Sequence, residues 1–332
     1  MLNLIPQNCR IVVTGGAGFI GSALTETLLS AGSNTVVCVD NFSTGSRKNI
    51  ADFLQNAHFI LEEGDICDES FMSRVMQGAD YVFHEAALGS VPRSMEHPAE
   101  SLRVNISGTA SVFHAAALAS VKRLVYASSS SVYGDEMTLP KVEYRTGNAL
   151  SPYALSKQVD EQLAAQFAKI YGLNCVGLRY FNVFGRRQNP NGAYAAVIPK
   201  FTASLLAHNA PVINGSGQIS RDFTYVDDVV QANLRALTKE NICGEVFNIA
   251  SSREISLDDL FYALRDGLAQ WDPAIGKIEP LYGSSRPGDI PRSLADIGKA
   301  RELLGYEPRF SFADAIRETL RWYVEKSGFA IS

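Results

Sequence analysis

The sequence of 332 residues lacks several features that mark specialised classes of protein. It has no apolar run near the ~20 residues that a membrane-spanning helix needs, so we expect no membrane association. It has no cluster of lysine or arginine, and its formal net charge of −5 argues against a nucleic-acid-binding surface. No Gly-Lys-Ser/Thr sequence follows its glycine-rich segment, which excludes a Walker phosphate loop.

Cysteine is scarce, with five residues and no C-x-x-C pair, at Cys9, Cys38, Cys67, Cys175 and Cys243. The odd number and the wide spacing argue against a disulfide framework and against a metal site, so we expect no bound metal. Four of the five lie in or beside apolar, strand-like runs, which predicts buried free thiols in a reducing compartment. The first predicted strand begins near Cys9 and leaves no room for a signal peptide, so we expect a cytoplasmic protein.

What the sequence does contain is an alternation of strand-like and helix-like segments. Apolar runs predict strands at 10–14, 35–40, 58–61, 81–83, 123–127 and 174–178. Helical periodicity predicts helices at 19–29, 98–119 and 153–171. This alternation predicts an α/β fold with a doubly wound, mostly parallel sheet, which binds ligands at the carboxyl ends of its strands.

The alternation ends after the sixth predicted strand, where glycine, proline and asparagine cluster at 185–192 and at 214–217. Residues 223–230 and 246–250 resemble returns to the sheet, and short helices and loops are expected beyond them. We therefore predict two domains. The sheet domain comprises residues 1–180 with 223–250, and a smaller mixed α/β substrate lobe comprises residues 181–222 with 251–332.

A glycine-rich segment joins the first predicted strand to the first helix, and Gly15, Gly18 and Gly21 form a G-x-x-G-x-x-G pattern. Glycine suits this turn because the backbone needs unusual angles and must approach a pyrophosphate closely, with the helix N–H groups facing the anion. Asp40 closes the second strand, where a carboxylate accepts hydrogen bonds from the adenosine ribose and repels a 2′-phosphate. The combination predicts a site for NAD rather than NADP.

Asp65 follows the third predicted strand. We expect its carboxylate to accept a hydrogen bond from the adenine amine of the dinucleotide. A second interpretation, that Asp65 is the N-cap of a short helix over 67–71, stays open at this point.

Tyr153 and Lys157 lie four residues apart at the start of a predicted helix and therefore share one face. A tyrosine is a poor base at its ordinary pKa of ~10, and lowering that pKa by ~2–3 units requires roughly 3–4 kcal/mol of differential stabilisation. A neighbouring ammonium and an oxidised nicotinamide ring together favour the phenolate. We predict that Tyr153 accepts a hydroxyl proton while hydride leaves the same carbon, with a serine from the run 128–131 fixing the oxygen.

On these residues the chain resembles the extended short-chain dehydrogenase/reductase family, whose members carry a Rossmann domain. The resemblance rests on the glycine pattern, the stretch 40–45, the serines before Val132-Tyr133-Gly134, and the Tyr153/Lys157 pair. Within that family the chain looks like the UDP-N-acetylglucosamine 4-epimerases, on residues 87–94, 178–188 and 190–200. The resemblance implies reversible C4 inversion of a UDP-N-acetylhexosamine, and possible use of UDP-Glc and UDP-Gal, through a 4-keto sugar with NAD bound.

The resemblance implies that Ser129, Tyr153 and Lys157 are the catalytic residues. Related dehydratases and decarboxylases carry acidic residues just after the catalytic Ser or Thr, whereas this chain has Ser130 and Ser131. That difference favours oxidation and re-reduction at a single carbon.

The implied cofactor contacts are spread along the first half of the chain. They are Gly15, Gly18, Phe19, Ile20, Gly21, Asp40, Asn41, Phe42, Ser43, Thr44, Gly45, Asp65, Ile66, Ala86, Ala87, Asn105, Tyr153, Lys157, Tyr180 and Val183.

The implied substrate contacts combine two arginines for the diphosphate, Arg221 and Arg286, with residues for the uridine and the sugar. Ser293 stands where simple galactose epimerases are expected to carry a bulky tyrosine, and so leaves room for an N-acetyl group. A second interpretation makes Ser293 the cap of a helix beginning at Leu294. The remaining implied contacts are Gly89, Ser90, Ser129, Ser130, Ser131, Tyr153, Asn182, Gln188, Ala196, Val197, Val212, Asn214 and Asp289.

Two other functions stay open. A UDP-hexuronate 4-epimerase, acting on UDP-GlcA or its N-acetylated counterpart, is compatible with Arg93 and Ser90 near the sugar. A non-catalytic NAD-sensing scaffold is compatible with the dinucleotide site alone. The alanine-rich faces of helices 98–119 and 153–171 suggest a homodimer built through a four-helix bundle, with packing inside one chain as the alternative.

Overall fold

The computed structural model of the protein describes residues 4–190, 195–284 and 291–326. The first part of the chain forms the strands β1 Arg10–Thr14, β2 Thr35–Asp40, β3 Phe59–Glu63, β4 Tyr81–His84, β5 Arg123–Ser129 and β6 Cys175–Tyr180. Its helices are α1 Phe19–Leu29, α2 Arg47–Ile50, α3 Glu69–Val75, α4 Val91–Glu96, α5 Pro98–Leu102, α6 Gly108–Leu118 and α7 Pro152–Tyr171.

The second part of the chain is built mainly from shorter strands. They are β7 Val183–Phe184, β8 Val212–Asn214, β9 Ser220–Asp222, β10 Thr224–Tyr225, β11 Val246–Ile249, β12 Glu254–Ser256 and β13 Leu281–Gly283. The helices are α8 Val197–Leu206, α9 Val226–Thr238, α10 Leu257–Leu268 and α11 Phe312–Lys326. β7 pairs with β10 and β8 with β13 in parallel, whereas β9 and β12 are antiparallel.

Seven parallel strands form the central sheet, in the order β11-β6-β5-β4-β1-β2-β3. From β1 the chain proceeds to one edge of the sheet through β2 and β3, and from β4 to the other edge through β5, β6 and β11. The strand order therefore reverses between β1 and β4, which is the position where open α/β sheets bind ligands. The predicted doubly wound α/β fold is confirmed.

Helices cover both faces of this sheet because successive strand residues point to opposite sides. Val13 belongs to a buried cluster with Leu24 of α1 and Val229 of α9. Val12, its neighbour, belongs to a second cluster that includes Met72 of α3 and Phe113 of α6. None of the helices within the described ranges is long and apolar enough to cross a membrane.

The interpretation of residues 223–230 as a return to the central sheet is wrong. Only Thr224 and Tyr225 are extended, and they pair with β7 outside the seven-stranded sheet. Val226 begins α9, whose first turn carries Asp227 and Asp228. Carboxylates favour a helix N-terminus, and that signal outweighs the strand-like run of valines.

Other expectations for the second half were partly met. Residues 246–249 join the central sheet beside β6, as predicted for 246–250. The chain beyond residue 250 contains two helices longer than expected, α10 with 12 residues and α11 with 15. Of the five free thiols, Cys38 and Cys175 are buried, but Cys243 is exposed and the other two are half-buried.

Candidate functional site

The turn between β1 and α1 is shaped for close approach of an anionic ligand. Gly15 has φ +68°, and a Cβ there would lie 2.7 Å from the backbone nitrogen of Ala86. Gly18 precedes α1, which has neither a side-chain cap nor an acidic residue in its first turn. The backbone N–H groups in the first turn of α1 therefore have no side-chain acceptor, which suits a pyrophosphate.

Gly21 serves a different purpose from the first two glycines. A Cβ on Gly21 would lie 2.1 Å from the carbonyl oxygen of Gly15. Any side chain would push α1 away from the turn. The third glycine therefore acts by allowing the helix to pack against the strand end.

Asp40 lies at the end of β2 with its carboxylate held by the backbone. Oδ2 accepts from the N–H of Ala17 over 3.0 Å, and Oδ1 accepts from the N–H of Phe42 over 2.8 Å. Burial raises the pKa of Asp40, and these two hydrogen bonds oppose that rise. A carboxylate oxygen has a second lone pair, so each oxygen can still accept a ribose hydroxyl. A Cβ at Gly45 would lie 2.8 Å from both oxygens, so glycine there keeps the space open.

Asp65 does not cap the following helix. Asp68 is the N-cap of α3 and accepts from the N–H of Phe71, so the capping interpretation of Asp65 is wrong. Asp65 instead accepts from the N–H of Cys67 and lies 3.6 Å from Arg103. Its side chain is 37% exposed, which leaves it accessible to a ligand.

Ser129 ends β5, and its hydroxyl oxygen accepts two hydrogen bonds from one neighbour. The backbone N–H and the hydroxyl of Ser131 donate to it over 3.2 and 3.0 Å. A serine hydroxyl has one donor and two acceptor positions. Both acceptor positions are therefore filled, and the O–H of Ser129 is left to donate.

The start of α7 places Tyr153 at the same edge of the sheet as Ser129. Ser151 caps the helix by accepting from the N–H of Ala154, and Pro152 occupies the first turn. Gln158 donates to the carbonyl oxygens of Val132 and Gly147, each over 2.9 Å. These contacts fix α7 against the segment that follows β5, and Tyr153 is half-buried there.

Lys157 is buried one turn from Tyr153. Its ammonium donates to the carbonyl oxygen of Ala127 over 2.8 Å and to Asp160 over 3.0 Å. Burial disfavours the charged ammonium, but the negative charge of Asp160 and the oxygen of Tyr153 outweigh it, so the pKa of Lys157 lies above its ordinary value. The side chain is therefore a fixed cation beside the tyrosine.

Three buried or half-buried residues near Lys157 escaped the sequence interpretation. Glu85, just after β4, accepts from the hydroxyl of Tyr180 over 2.8 Å, and burial raises its pKa to about 8. His84 lies between the hydroxyls of Thr14 and Thr109, at 2.7 and 2.9 Å. Asp160 is the third. The sequence did contain two signals for them. His84 and Glu85 are ionisable residues at the end of an apolar strand, and Asp160 is an acid one turn after Lys157.

Asn105, expected to contact the cofactor, lies in a π-helical turn at Arg103–Ser107 that joins α5 to α6. Its amide oxygen accepts from the N–H of Leu88 over 2.8 Å, and its amide nitrogen donates to Ser156 over 3.0 Å. The side chain is fully buried and fixes the segment after β4 against α7. Its role towards the cofactor stays a prediction.

The substrate side of the cleft brings Arg221 and Ser293 together. The carbonyl oxygen of Ser220 accepts from Nη1 of Arg221 over 2.9 Å and from the N–H of Ser293 over 3.2 Å. Ser293 lies in an extended segment beside β9, so the interpretation of it as a helix cap before Leu294 is wrong. Arg286 and Asp289 lie outside the described residues.

The other expected sugar and uridine contacts are spread over several elements. Ser90 caps α4 and accepts from the N–H of Arg93. Asn182 donates to the carbonyl oxygen of Asp222 over 2.9 Å, and Gln188 to that of Val183 over 3.1 Å. The remaining positions flank helices and strands: Gly89 precedes α4, Ala196 and Val197 begin α8, and Val212 and Asn214 bound β8.

Comparison with known proteins gives one family. Residues 11–250 match the NAD dependent epimerase/dehydratase family. A UDP-glucose 4-epimerase of Mycolicibacterium smegmatis is 36% identical, covering 96% of this chain and 99% of that protein.

The similar solved structures include two that match over nearly all of the chain. UDP-N-acetylglucosamine 4-epimerase from Methanobrevibacter ruminantium, in complex with UDP-N-acetylmuramic acid, is 36% identical with a TM-score of 0.88, covering 96% of this chain and 99% of that one. UDP-glucuronic acid 4-epimerase from Bacillus cereus, in complex with UDP-glucuronic acid and NAD, is 32% identical with a TM-score of 0.84, covering 94% and 98%.

Proposed function

Because the chain belongs to the NAD dependent epimerase/dehydratase family, we propose that it inverts C4 of a UDP-N-acetylhexosamine and so interconverts UDP-GlcNAc and UDP-GalNAc. The observation that carries the proposal is the group at the end of β5 and the start of α7. Ser129 has its O–H left to donate, and Lys157 is a buried cation one turn from Tyr153. Epimerisation of a UDP-sugar at C4 is also the activity named for the three similar proteins described above.

The cofactor site fits NAD. The uncapped first turn of α1 suits the pyrophosphate, Asp40 has lone pairs for the ribose hydroxyls, and Gly45 leaves space beside them. NAD supplies the chemistry of taking up the C4 hydride and returning it.

The protein residues move the proton and hold the sugar. Ser129 donates to the oxygen on C4, and Tyr153 as phenolate accepts the proton of that hydroxyl. The fixed charge of Lys157 stabilises the phenolate. Inversion then requires the 4-keto sugar to turn about its diphosphate linkage, while the guanidinium groups of Arg221 and Arg286 hold the phosphates.

The residues after Ser129 support epimerisation over elimination. Loss of water from the sugar needs a further acid or base beside it, just after the catalytic serine. Ser130 and Ser131 occupy those positions, and the hydroxyl of Ser131 is bonded to Ser129. Neither can act as an acid or base near neutral pH.

Ser293 supports the choice of an N-acetylated sugar. It lies beside Arg221 through their shared acceptor, the carbonyl of Ser220, so it stands near the proposed diphosphate clamp. A serine there takes little space and leaves room for a C2 substituent. A larger residue at this position would fill it.

A UDP-hexuronate is the second candidate substrate. The similar enzyme from Bacillus cereus acts on UDP-glucuronic acid. Ser90 and Arg93 form the first turn of α4, where a cation and a hydroxyl could meet a C6 carboxylate.

A panel of substrates distinguishes these functions. The purified protein is incubated separately with UDP-GlcNAc, UDP-Glc, UDP-GlcA and UDP-GlcNAcA, and the products are separated by chromatography. We expect UDP-GalNAc to form fastest, and no product with Tyr153→Phe. Faster turnover of an acidic sugar would favour the hexuronate function. Absence of any product from the NAD-bound protein would overturn both.

We also propose a homodimer through α6 and α7. Ala115, Ala116 and Ala164 are buried inside the chain, so part of each alanine-rich face packs within one molecule. The same helices nevertheless expose larger apolar side chains, with Leu118 at 67% and Ile170 at 65%. Light scattering tests this, with a mass twice that of one chain expected and a concentration-independent monomer contradicting it.

A further inference from the structure

Asp160 forms an ion pair with Lys157 inside the protein. Oδ2 of Asp160 lies 3.0 Å from the ammonium, and the two side chains are 1% and 3% exposed. Both residues lie on α7, one turn apart. Burying two charges has a high desolvation cost, which an apolar pair of the same size would not have. The presence of this buried ion pair therefore calls for an explanation.

Burial raises the pKa of Asp160, and the ammonium of Lys157, its hydrogen-bond partner, is the main group that opposes this rise. The second oxygen of Asp160, Oδ1, makes no hydrogen bond to the described residues. The hydroxyl of Thr109 on α6 donates to the carbonyl oxygen of Asn105, and it also helps to lower the pKa of Asp160. The ammonium has three donors, of which one goes to Asp160 and one to Ala127, so one is left for the cleft.

The other ionisable groups around Lys157 come from three elements. They are Tyr153 and Glu161 on α7, His84 and Glu85 at the end of β4, and Tyr180 on β6. Nε and Nη2 of Arg179 donate to the two carboxylate oxygens of Glu161, each over 2.8 Å. Glu85 is bonded to the hydroxyl of Tyr180, and His84 lies between two threonine hydroxyls. Asp160 is thus the carboxylate in direct contact with Lys157.

We propose that Asp160 is a positioning residue that fixes the Lys157 ammonium and, by offsetting its charge, sets the pH at which Tyr153 becomes the catalytic base. The catalytic readout of this inference rests on the proposed function. Tyr153 and Asp160 are seven positions apart on α7, about two turns or ~10 Å. At that distance the negative charge of a carboxylate raises the pH at which a phenolate forms by about one unit.

The test replaces the carboxylate by an uncharged group of the same shape. Asp160→Asn should lower the midpoint of the acid limb of kcat/KM by about one pH unit, because Lys157 then acts on Tyr153 without a counter-charge. Asp160→Glu keeps the charge and should keep the midpoint. Glu62→Gln, which removes a half-buried carboxylate on β3 paired with Arg74, is the matched distant control.

A second readout needs no turnover. The ultraviolet absorbance of tyrosinate is titrated in the NAD-bound protein and in its Tyr153→Phe variant, and the difference isolates Tyr153. The same pair is then measured with Asp160→Asn in both members. An inactive protein whose Tyr153 titration still shifts downward would leave this inference standing and overturn the proposed function alone.

An unchanged midpoint in Asp160→Asn would show a purely structural role and overturn the inference. A midpoint moved to higher pH would overturn it too, because Lys157 would then have lost its proton. If Asp160→Asn does not fold, Asp160→Ser takes its place with the same expected shift. Failure of both neutral variants to fold would assign the carboxylate to folding and reject the tuning role.

Discussion

The hydroxyl of Ser131 donates to the hydroxyl oxygen of Ser129 over 3.0 Å. The backbone N–H of Ser131 donates to the same oxygen, so the Ser129 proton is directed outward. Ser131 therefore orients Ser129, whose hydroxyl we propose to donate to the C4 oxygen of the sugar.

Removing this orientation should reduce turnover. We expect Ser131→Ala to lower kcat about 3–10-fold, and Ser129→Ala to lower it about 100-fold, since only the second removes the donor itself. Steady-state kinetics with UDP-GlcNAc measure both. Ser73→Ala, which changes an exposed serine on α3, is the control and should stay within about twofold of the unmodified protein. Equal losses in all three variants would contradict this order.

Asp40 should determine the choice of dinucleotide. Asp40→Asn weakens the hydrogen bonds to the ribose hydroxyls, so we expect the affinity for NAD to fall about tenfold. It also removes the charge that repels a 2′-phosphate, so the preference for NAD over NADP should become smaller. Fluorescence titration with NADH and NADPH measures the ratio. The exposed Asp52→Asn is the control. If the ratio of the affinities for NADH and NADPH is unchanged in Asp40→Asn, this carboxylate does not determine which dinucleotide binds.

The fold was predictable where one local signal dominates. The strands at 10–14 and 35–40 are apolar on both faces and are bounded by glycine or by Asp40, and the structure has them at those limits. Residues 226–230 also include three valines, but Asp227 and Asp228 within this stretch favour a helix start. Composition alone could not separate the two states there.

The site was predictable only in part. Tyr153 and Lys157 share a face because four residues make about one helical turn. Ser220 joining Arg221 to Ser293 depends on pairing across more than seventy positions of chain, which no local pattern contains. The same holds for Glu85 and Tyr180, which meet because β4 and β6 flank β5.

His84 should make the protein sensitive to acid. Burial, together with the nearby Lys157 ammonium, lowers the pKa of His84 to about 3. In the unfolded chain its pKa is ~6.5, so the unfolded state alone binds this proton between those values. The stabilisation that depends on neutral His84 is therefore fully present above pH ~6.5. Below that pH it falls by ~1.4 kcal/mol per pH unit, until the pH reaches the pKa of His84 in the folded protein.

Urea unfolding at a series of pH values tests this. His84→Gln should be less stable at neutral pH, because it disturbs the contacts with Thr14 and Thr109, yet lose less stability as pH falls. The exposed His58→Gln should parallel the unmodified protein. Parallel curves for His84→Gln and the unmodified protein would show that His84 is protonated in the fold.

Arg221 should contribute mainly to substrate binding. A guanidinium can hold a phosphate with two hydrogen bonds, whereas an ammonium binds it as a point charge. We expect Arg221→Lys to raise KM for UDP-GlcNAc about tenfold with a smaller change in kcat. The nearby Arg292 pairs with Glu254, and Arg292→Lys should change neither constant. A loss confined to kcat in Arg221→Lys would place the arginine with the sugar instead.

Ser293 should determine which sugars fit. Ser293→Tyr fills the space proposed for the C2 substituent, so kcat/KM for UDP-GlcNAc should fall about 100-fold or more, while that for UDP-Glc changes little. Ser293→Ala keeps the space and should retain both activities. Paired kinetics on the two substrates give the selectivity ratio, which cancels any general loss of folded protein. If Ser293→Tyr lowers both activities equally, residue 293 does not face the C2 position, and the acetyl group must be accommodated elsewhere in the cleft.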